Sequence, residues 1–353
     1  MGKSLKVAGV LAVTSLATVL APETIAFAGD QLTITSFGGA YQAAQRKAYF
    51  EPYAKQTGVK ISEGEYNGEL SKIRAMVESK SVSWDVVDTD AFSAVQLCAE
   101  GAIETIDWKK LGLDRARFME SGQHDCAVPA DFFATVLAYD KDKLPNGPKT
   151  LADLFDTQKF PGKRGLYRSP VVSLEWALIA DGVAIKDVYK VLSTPEGVNR
   201  AFKKLDTIKK DVVWWQTGAQ APQLLADGQV VMTSAWNGRI YDAIKNSGKN
   251  FEIVWDHEAL GMDVWVIPKG TPRRDDAYKF IAFAASPAVQ ADQTRYISYG
   301  PANKDAAAHV DPAILPHLPT APDNMRNALL LDAHFWSDKG DDLRQRFTAW
   351  LAK

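Results

Sequence analysis

The chain alternates short apolar runs with amphipathic stretches, which predicts strands and helices in turn. Residues 31–37 alternate apolar and polar positions as a half-buried strand does, and the run ends at Gly38-Gly39. The pattern then predicts a helix at 40–57, a strand at 59–62, a helix at 69–79 and a strand at 84–88. This order is typical of a parallel sheet covered by helices.

A second unit of the same kind follows without a Pro-, Gly- or Ser-rich linker. We predict strands at 135–139, 164–167, 230–235, 251–255 and 264–268, and helices at 173–180, 195–205, 222–227, 275–285, from Pro287 onward and at 341–351. Two α/β units without a linker indicate two lobes joined by crossing strands, with a ligand cleft between them.

The first 28 residues have the three parts of a secretory signal peptide. Lys3 and Lys6 precede an apolar run at 7–21, and Ala26-Phe27-Ala28 fits a small-x-small cleavage site. The alternative is a membrane anchor, but a span needs about 20 apolar residues. We therefore expect a cleaved leader at 1–28, no membrane insertion and a periplasmic location.

The chain has only two cysteines, Cys98 and Cys126, 28 residues apart. An exported protein enters a compartment that permits disulfides, so we expect a structural bridge between them. Two free buried thiols and a redox pair are the alternatives, although no Cys-x-x-Cys motif is present. Two cysteines exclude a disulfide-dense scaffold.

Composition and charge narrow the function classes. The 353 residues carry 41 Lys+Arg against 43 Asp+Glu, a net charge of -2, and 46% are hydrophobic. This is an ordinary globular composition, and it excludes a globally basic nucleic-acid surface. The chain contains no P-loop, no G-x-S-x-G and no histidine pair with helical metal-ligand spacing, so we expect neither a cofactor nor a metal.

Acidic and aromatic residues mark two candidate positions. Asp85, Asp88 and Asp90 alternate near one strand, and we interpret them as a polar strand end and turn, because no calcium-loop spacing follows. Trp236 follows an apolar strand and precedes Asn237. This places it at a strand-to-helix turn, where open α/β sheets bind ligands and where an aromatic face attracts ammonium groups.

Several segments, taken in order, resemble one family. They are SFGGAYQ (36–42), WDVVDTD (84–90), VPADFFAT (128–135), AWNGRIYDAI (235–244), GMDVWVIP (261–268) and YGPAN (299–303). The chain resembles the extracellular solute-binding proteins of bacterial ABC importers, in the polyamine-binding branch. The resemblance covers almost all of the chain after the leader.

This resemblance implies a two-lobed periplasmic-binding-protein fold, with mixed sheets flanked by helices and hinge strands that let the lobes close on a ligand. It implies lobe 1 at 29–136 plus 264–306, and lobe 2 at 137–263 plus 307–353. It also implies no catalysis, a small amine or zwitterion as ligand, the permease subunits of an importer as partners and no nucleic acid. We expect a monomer.

The resemblance also implies a set of pocket residues. Trp236 matches the aromatic wall, Asp263 the acid that holds a ligand ammonium, and Tyr299 a tyrosine that reaches the cleft. The remaining matches are Phe37, Gly38 and Tyr41 in the first strand-helix turn, and Phe92 near the third strand. Aromatic faces and one carboxylate would enclose an amine.

Departures from the polyamine pattern indicate a different ligand. Gly261 stands where an aromatic is usual, Arg168 lies in a stretch that lacks the usual acid, and Arg239 replaces a small residue. An arginine that faces a cleft can bind a carboxylate through two parallel hydrogen bonds. The alternatives for Arg239 are a solvated helix position or an ion pair with Asp242.

We therefore expect capture of an ω-amino acid such as 4-aminobutyrate. A polyamine (putrescine or spermidine) and an opine are the alternatives within the class. An exported enzyme using the cleft carboxylates Asp90, Asp131 and Asp263 is the alternative from another class.

Overall fold

The computed structural model describes residues 1–2, 31–119 and 125–353. The signal peptide predicted for residues 1–28 lies outside the described residues, apart from the first two. Within the described ranges, no helix is long and apolar enough to cross a membrane.

One mixed sheet runs through the molecule. Its strands are β1 (Gln31–Ser36), β2 (Lys60–Glu65), β3 (Val86–Asp90), β4 (Val128–Asp140), β5 (Arg164–Tyr167), β6 (Val212–Trp215), β7 (Met232–Trp236), β8 (Phe251–Val266), β9 (Gly300–Pro301) and β10 (Leu329–Leu330). The order is β2-β1-β3-β8-β4-β7-β5-β6, with β9 beside β4 and β10 beside β8. The outer pairs are parallel, as the alternation of strands and helices predicts.

Helices cover the sheet between these strands. They are α1 (Gly39–Gln45), α2 (Glu51–Thr57), α3 (Leu70–Glu78), α4 (Ala91–Ala99), α5 (Trp108–Leu111), α6 (Ser173–Ala180), α7 (Val188–Leu192), α8 (Pro195–Asp206), α9 (Gln220–Ala226), α10 (Asn237–Ser247), α11 (Arg274–Ala284), α12 (Pro287–Gln293) and α13 (Ala333–Leu351). The α/β prediction is confirmed. A π-helical segment, Arg46–Phe50, connects α1 to α2, so the helix predicted at 40–57 is continuous.

The two long central strands, β4 and β8, connect the halves of the sheet. They pair antiparallel along most of their length, with a register shift between Thr135 and Leu137. Thr135 faces Ala259 and Leu137 faces Val254, so the residues at 255–258 bulge opposite a single partner position. The sequence predicted two strands, at 251–255 and 264–268, because polar residues interrupt the apolar pattern. The structure forms one strand, since backbone pairing with β4 continues past them.

The last helix also differs from its prediction. It begins at Ala333 rather than 341, because the Asp332 carboxylate accepts a hydrogen bond from the Phe335 N–H and caps it. Its apolar face, including Trp336 and Phe347, joins the core of the β5–β7 half. A second core around Trp265 serves the other half.

The predicted disulfide between Cys98 and Cys126 is present, with Cα atoms 5.8 Å apart. It ties the end of α4 to the segment that leads into β4. The carboxyl-terminal end of helix α4, whose amino-terminal end reaches the central strands, is thereby fixed to the sheet.

Candidate functional site

A cavity of about 160 Å³ lies over the central strands and draws residues from both halves of the sheet. Seven of the nine predicted ligand-binding residues line it: Phe37, Tyr41, Phe92, Trp236, Arg239, Asp263 and Tyr299. Gly38 does not line the cavity, but its carbonyl accepts a hydrogen bond of 3.0 Å from Arg239 Nη1.

Arg168 is the predicted residue that the structure separates from this cavity. Its side chain is exposed, and it is absent from the lining. Its backbone N–H donates to the Trp215 carbonyl at 2.8 Å, which holds the chain just after β5. The side chain therefore points into solvent, and the prediction of a cleft-facing Arg168 has no support in the geometry.

The Trp-Asn-Gly turn that ends β7 has a separate role for each residue. Trp236 lines the cavity. Asn237 is fully buried, accepts a hydrogen bond from the Ala134 N–H at 2.9 Å and donates to the Ser298 carbonyl at 2.6 Å. A Cβ on Gly238 would lie 2.6 Å from the Tyr299 ring, so glycine lets that ring pack against the turn. The motif thus joins α10, β4 and the segment before β9.

Aromatic rings surround Trp236. Its partners, with centroid distances from 5.5 to 6.5 Å, are Phe37, Phe133, Tyr167 and Trp215. Phe133 explains the departure at Gly261: the two residues pair across β4 and β8, and a Cβ at Gly261 would lie 2.6 Å from the Phe133 ring. The neighbouring strand therefore supplies an aromatic ring beside the position where Gly261 has no side chain.

Arg239 is buried at the start of α10, with an exposed fraction of 3%. Its guanidinium donates to the carbonyls of Gly38 (3.0 Å) and Phe37 (3.4 Å), and it lies 5.9 Å from the ring centres of Tyr41 and Trp236. Within residues 31–119 and 125–353, Nε is buried without a hydrogen-bond partner, and Arg239 forms no ion pair with an acid. Neither alternative for Arg239 therefore holds, and its side chain places a cation at the cavity wall.

The glycine pair at 38–39 makes this approach possible. Both residues have positive φ, 63° and 55°, a region that side-chain-bearing residues rarely adopt. A Cβ on Gly39 would lie 3.0 Å from Arg239 Nη1. The turn therefore brings its backbone against the guanidinium from the opposite half of the sheet.

Four aspartates form an acidic cluster on one face of the central strands: Asp88, Asp90, Asp131 and Asp263. Asp263 on β8 pairs directly with Asp90 on β3 and with Asp131 on β4. Directly opposed residues point to the same face, with Cβ atoms about 4.5–5.5 Å apart. Asp88 lies two residues before Asp90 and shares its face.

Asp88, Asp90 and Asp131 accept hydrogen bonds from neighbouring protein groups. Asp88 accepts from Ser36 Oγ and Gln45 Nε2, and Asp131 accepts from Tyr41 Oη and Gln293 Nε2, both at 2.9 Å. Asp90 caps α4, accepting from Ser93 N at 2.7 Å and from its hydroxyl at 2.9 Å.

Asp263 is 5% exposed and faces the cavity. Burial, followed by the charges of Asp88, Asp131 and Asp90, raises the pKa of Asp263 well above its ordinary value. Burial also raises the pKa of Asp90 to about 6 and that of Asp88 to about 7. A buried carboxylate among like charges is unfavourable in its ionised form, and a bound cation stabilises that form.

The arrangement suits a molecule with opposite charges. Burial is the main reason why the pKa of Tyr299 is raised; Arg239 lowers that pKa and Asp263 raises it, so both charges act near one ring. Among the described residues, no group of three or more His, Cys, Asp or Glu could hold a metal ion. The cavity therefore offers a carboxylate for an ammonium, a guanidinium for an anion and aromatic faces for an apolar chain.

Sequence reasoning missed several lining residues. Phe133, Tyr167 and Arg344 line the cavity. Asp90 lines it too, although the sequence indicates it as a cleft carboxylate only in the enzyme alternative and otherwise as part of a polar strand end. For Asp90 a signal existed, since Asp88 and Asp90 alternate on one strand. Arg344 is far away in sequence, on α13, and no local pattern distinguishes it from a solvated helix residue.

Fold and site define a two-lobed binding protein for a small charged solute. The model of the family "Bacterial extracellular solute-binding protein" matches residues 48–320. The chain belongs to this family.

Individual relatives agree with this class. The chain is 45% identical over 324 residues to the gamma-aminobutyric acid-binding protein of Pseudomonas aeruginosa, covering 92% of each chain. It is 24% identical over 274 residues to the spermidine/putrescine-binding periplasmic protein of Salmonella typhimurium, covering 75% of this chain and 76% of the relative.

Two solved structures are similar along nearly the whole chain. One is the binding protein MotA from A. tumefaciens B6 in complex with glucopine, with a TM-score of 0.85 and 34% identity over 91% of this chain and 99% of that one. The other is the Atu4243 GABA receptor, with a TM-score of 0.81 and 37% identity over 92% and 98%.

Proposed function

We propose that this protein captures 4-aminobutyrate, or a closely related ω-amino acid, in the periplasm and delivers it to the permease of an ABC importer. The observation that carries the proposal is the presence of Asp263 and Arg239 in the lining of one cavity. In this proposal Asp263 holds the ammonium, Arg239 receives the carboxylate, and Trp236 lies along the apolar chain between them. The relative named as a gamma-aminobutyric acid-binding protein supports the same ligand.

The size of the cavity favours a small ligand. Its volume of about 160 Å³ is close to that of an engineered apolar cavity of about 150 Å³ that holds one benzene molecule. 4-Aminobutyrate has one non-hydrogen atom more than benzene, whereas an opine is a larger amino-acid conjugate. An opine would need a wider cleft than this one.

Titration calorimetry on the purified protein tests the proposal. We expect 4-aminobutyrate to bind with one-to-one stoichiometry, and shorter or longer ω-amino acids to bind more weakly. α-Alanine is the matched control, because it carries both charges without the spacing. Absence of heat with every ω-amino acid would remove the proposed function.

A polyamine is the second candidate, and the acidic cluster favours it. Asp90 and Asp263 line the same cavity, and two carboxylates suit two ammonium groups. Arg239 weighs against it, because a buried guanidinium repels a second ammonium at close range. If the wild-type protein binds putrescine tightly and does not bind ω-amino acids, the ligand is a polyamine rather than an ω-amino acid.

We further propose that the protein does not transform its ligand. The relatives named as binding proteins support this. Proton NMR of 4-aminobutyrate, recorded after long incubation with the protein and release by denaturation, should show the ligand unchanged. A new product would instead indicate an enzyme that uses the cleft carboxylates.

A further inference from the structure

Arg344 lies on α13, distant in sequence from the predicted pocket, yet it lines the same cavity as Asp90. Its neighbour Leu343 belongs to the buried face of α13, which fixes the rotation of the helix. The side chain of Arg344 is 36% exposed, so it lies at the edge of the cavity rather than free in solvent.

A glycine in the middle of α13 gives the guanidinium its place. Gly340 is buried one turn before Arg344, and a Cβ there would lie 2.5 Å from Arg344 Nη1 and 3.1 Å from Nη2. Glycine inside a helix is less favourable than alanine. The guanidinium folded back over Gly340 is a physical reason for that residue.

Arg344 forms an ion pair with Asp341, in which Nη1 and the carboxylate are 3.6 Å apart. Nη1 is buried and has no hydrogen-bond partner in the part of the chain that the structure describes. Arg344 shares the cavity lining with Asp90 and opposes the effect of burial on the pKa of Asp90. The guanidinium thus stabilises the ionised form of Asp90 from a distance.

This pairing changes what the acidic cluster offers to a ligand. Asp88, Asp90 and Asp131 each accept two hydrogen bonds from protein groups, but of the four aspartates only Asp90 and Asp263 line the cavity. Because Arg344 and Asp90 line the same cavity, a second ammonium at Asp90 would meet the charge of Arg344 as well as that of Arg239. Such repulsion lets a site discriminate between ligands that its attractive contacts alone would bind equally well.

We propose that Arg344 is a specificity-determining residue that counters Asp90 and so excludes diamines from a site that keeps a single ammonium position at Asp263. The proposal rests on the proposed function, because it assigns that ammonium position to Asp263. It predicts that a neutral side chain at 344 converts Asp90 into a second ammonium position.

The test compares dissociation constants for putrescine and 4-aminobutyrate in the wild-type protein and in Arg344→Met. We expect the ratio of the two constants to shift toward putrescine by at least about tenfold, because a like charge is removed and a carboxylate released. Arg344→Lys keeps the cation and should retain the wild-type ratio. Arg346→Met, on the same helix but outside the cavity lining, is the matched control.

A double variant checks that the gain passes through Asp90. Asp90→Asn preserves a good cap for α4, so the helix should remain intact. The putrescine gain should disappear in Arg344→Met/Asp90→Asn. Thermal unfolding of each variant verifies that it is folded.

Two results would overturn the proposal: a putrescine constant in Arg344→Met no tighter than in the wild type, or a loss confined to 4-aminobutyrate, which would make Arg344 a ligand of the carboxylate. Failure of the proposed function appears separately, as a wild-type protein that does not bind 4-aminobutyrate. The putrescine comparison can still be read in that case.

Discussion

At the scale of single residues, the site depends on two buried charges without a full set of protein partners. Arg239 has an unpartnered Nε, and Asp263 faces the cavity among like charges. Neither charge is fully compensated by the protein. A zwitterion supplies the missing partner for both at once, whereas a diamine supplies only one.

Substitution of either charge should separate these two ligands. Asp263→Asn and Arg239→Met should each weaken 4-aminobutyrate binding at least about thirtyfold, because loss of one partner of a buried pair costs about 2 kcal/mol or more. Only Asp263→Asn should also weaken putrescine. Calorimetry measures both constants, and Asp242→Asn on the same helix is the control. Equal effects of both variants on both ligands would contradict the assignment.

Binding should also depend on pH, with a definite sign. The pKa values of the acidic cluster lie above their unfolded values, including about 6 for Asp90 and about 7 for Asp88. These groups therefore stabilise the ligand-free fold at low pH, and that contribution is lost as pH rises from about 4 through the raised pKa values. An ammonium group binds the ionised form of Asp263. The affinity for the ligand should therefore increase as pH rises, while the stability of the ligand-free fold decreases.

We expect the affinity for 4-aminobutyrate to rise from pH 5 to pH 8, with protons released on binding. Calorimetry in two buffers of different ionisation enthalpy measures the protons released. Asp263→Asn should flatten the dependence. An affinity that is constant over this range in the wild-type protein would contradict the role of the cluster.

At the scale of elements, the bridge between Cys98 and Cys126 holds α4 against the start of β4. The opposite end of α4 carries Asp90 and Phe92, which line the cavity. The disulfide thus fixes a helix that reaches the site, although neither cysteine lines the cavity.

Removal of this bridge should lower stability. Cys98→Ala/Cys126→Ala should reduce the free energy of unfolding by about 3–4 kcal/mol in the chain-entropy model for a loop of this length. Urea unfolding measures the loss, and thiol titration of the unreduced, unfolded wild-type protein should find close to no free thiol. A titre of two thiols would contradict the bridge.

At the scale of the whole molecule, β4 and β8 run through both halves of the sheet, and the cavity lies over them. A contact across the cavity already joins the halves, from Arg239 to the carbonyl of Gly38. A ligand that adds contacts on both sides would favour the closed arrangement through its differential affinity.

Ligand binding should therefore compact the protein. Small-angle X-ray scattering should give a smaller radius of gyration at saturating 4-aminobutyrate than without it. Asp263→Asn at the same ligand concentration is the control, and its radius of gyration should stay at the ligand-free value. A radius that is identical with and without ligand in the wild-type protein would argue against closure.

The alternation of apolar runs was enough to predict the α/β fold and most of its elements. The strand at β5 and the helix α6 have the predicted bounds, and the disulfide was predicted from the expected signal peptide and the cysteine count. These features arise from local periodicity, capping and compartment, which neighbouring residues encode. The Trp-Asn-Gly turn is also a local sequence feature, and from it Trp236 and Arg239 were predicted as pocket residues.

The tertiary structure decided which distant charges meet. The sequence grouped Asp90, Asp131 and Asp263 only in the enzyme alternative, and it is strand register that places Asp90 and Asp131 directly beside Asp263. Likewise, only folding brings Arg344 on α13 to the cavity and leaves Arg168 in solvent. Periodicity sets which face of an element is apolar, but the field at a site sums charges from elements far apart in the chain, and their distances exist only after packing.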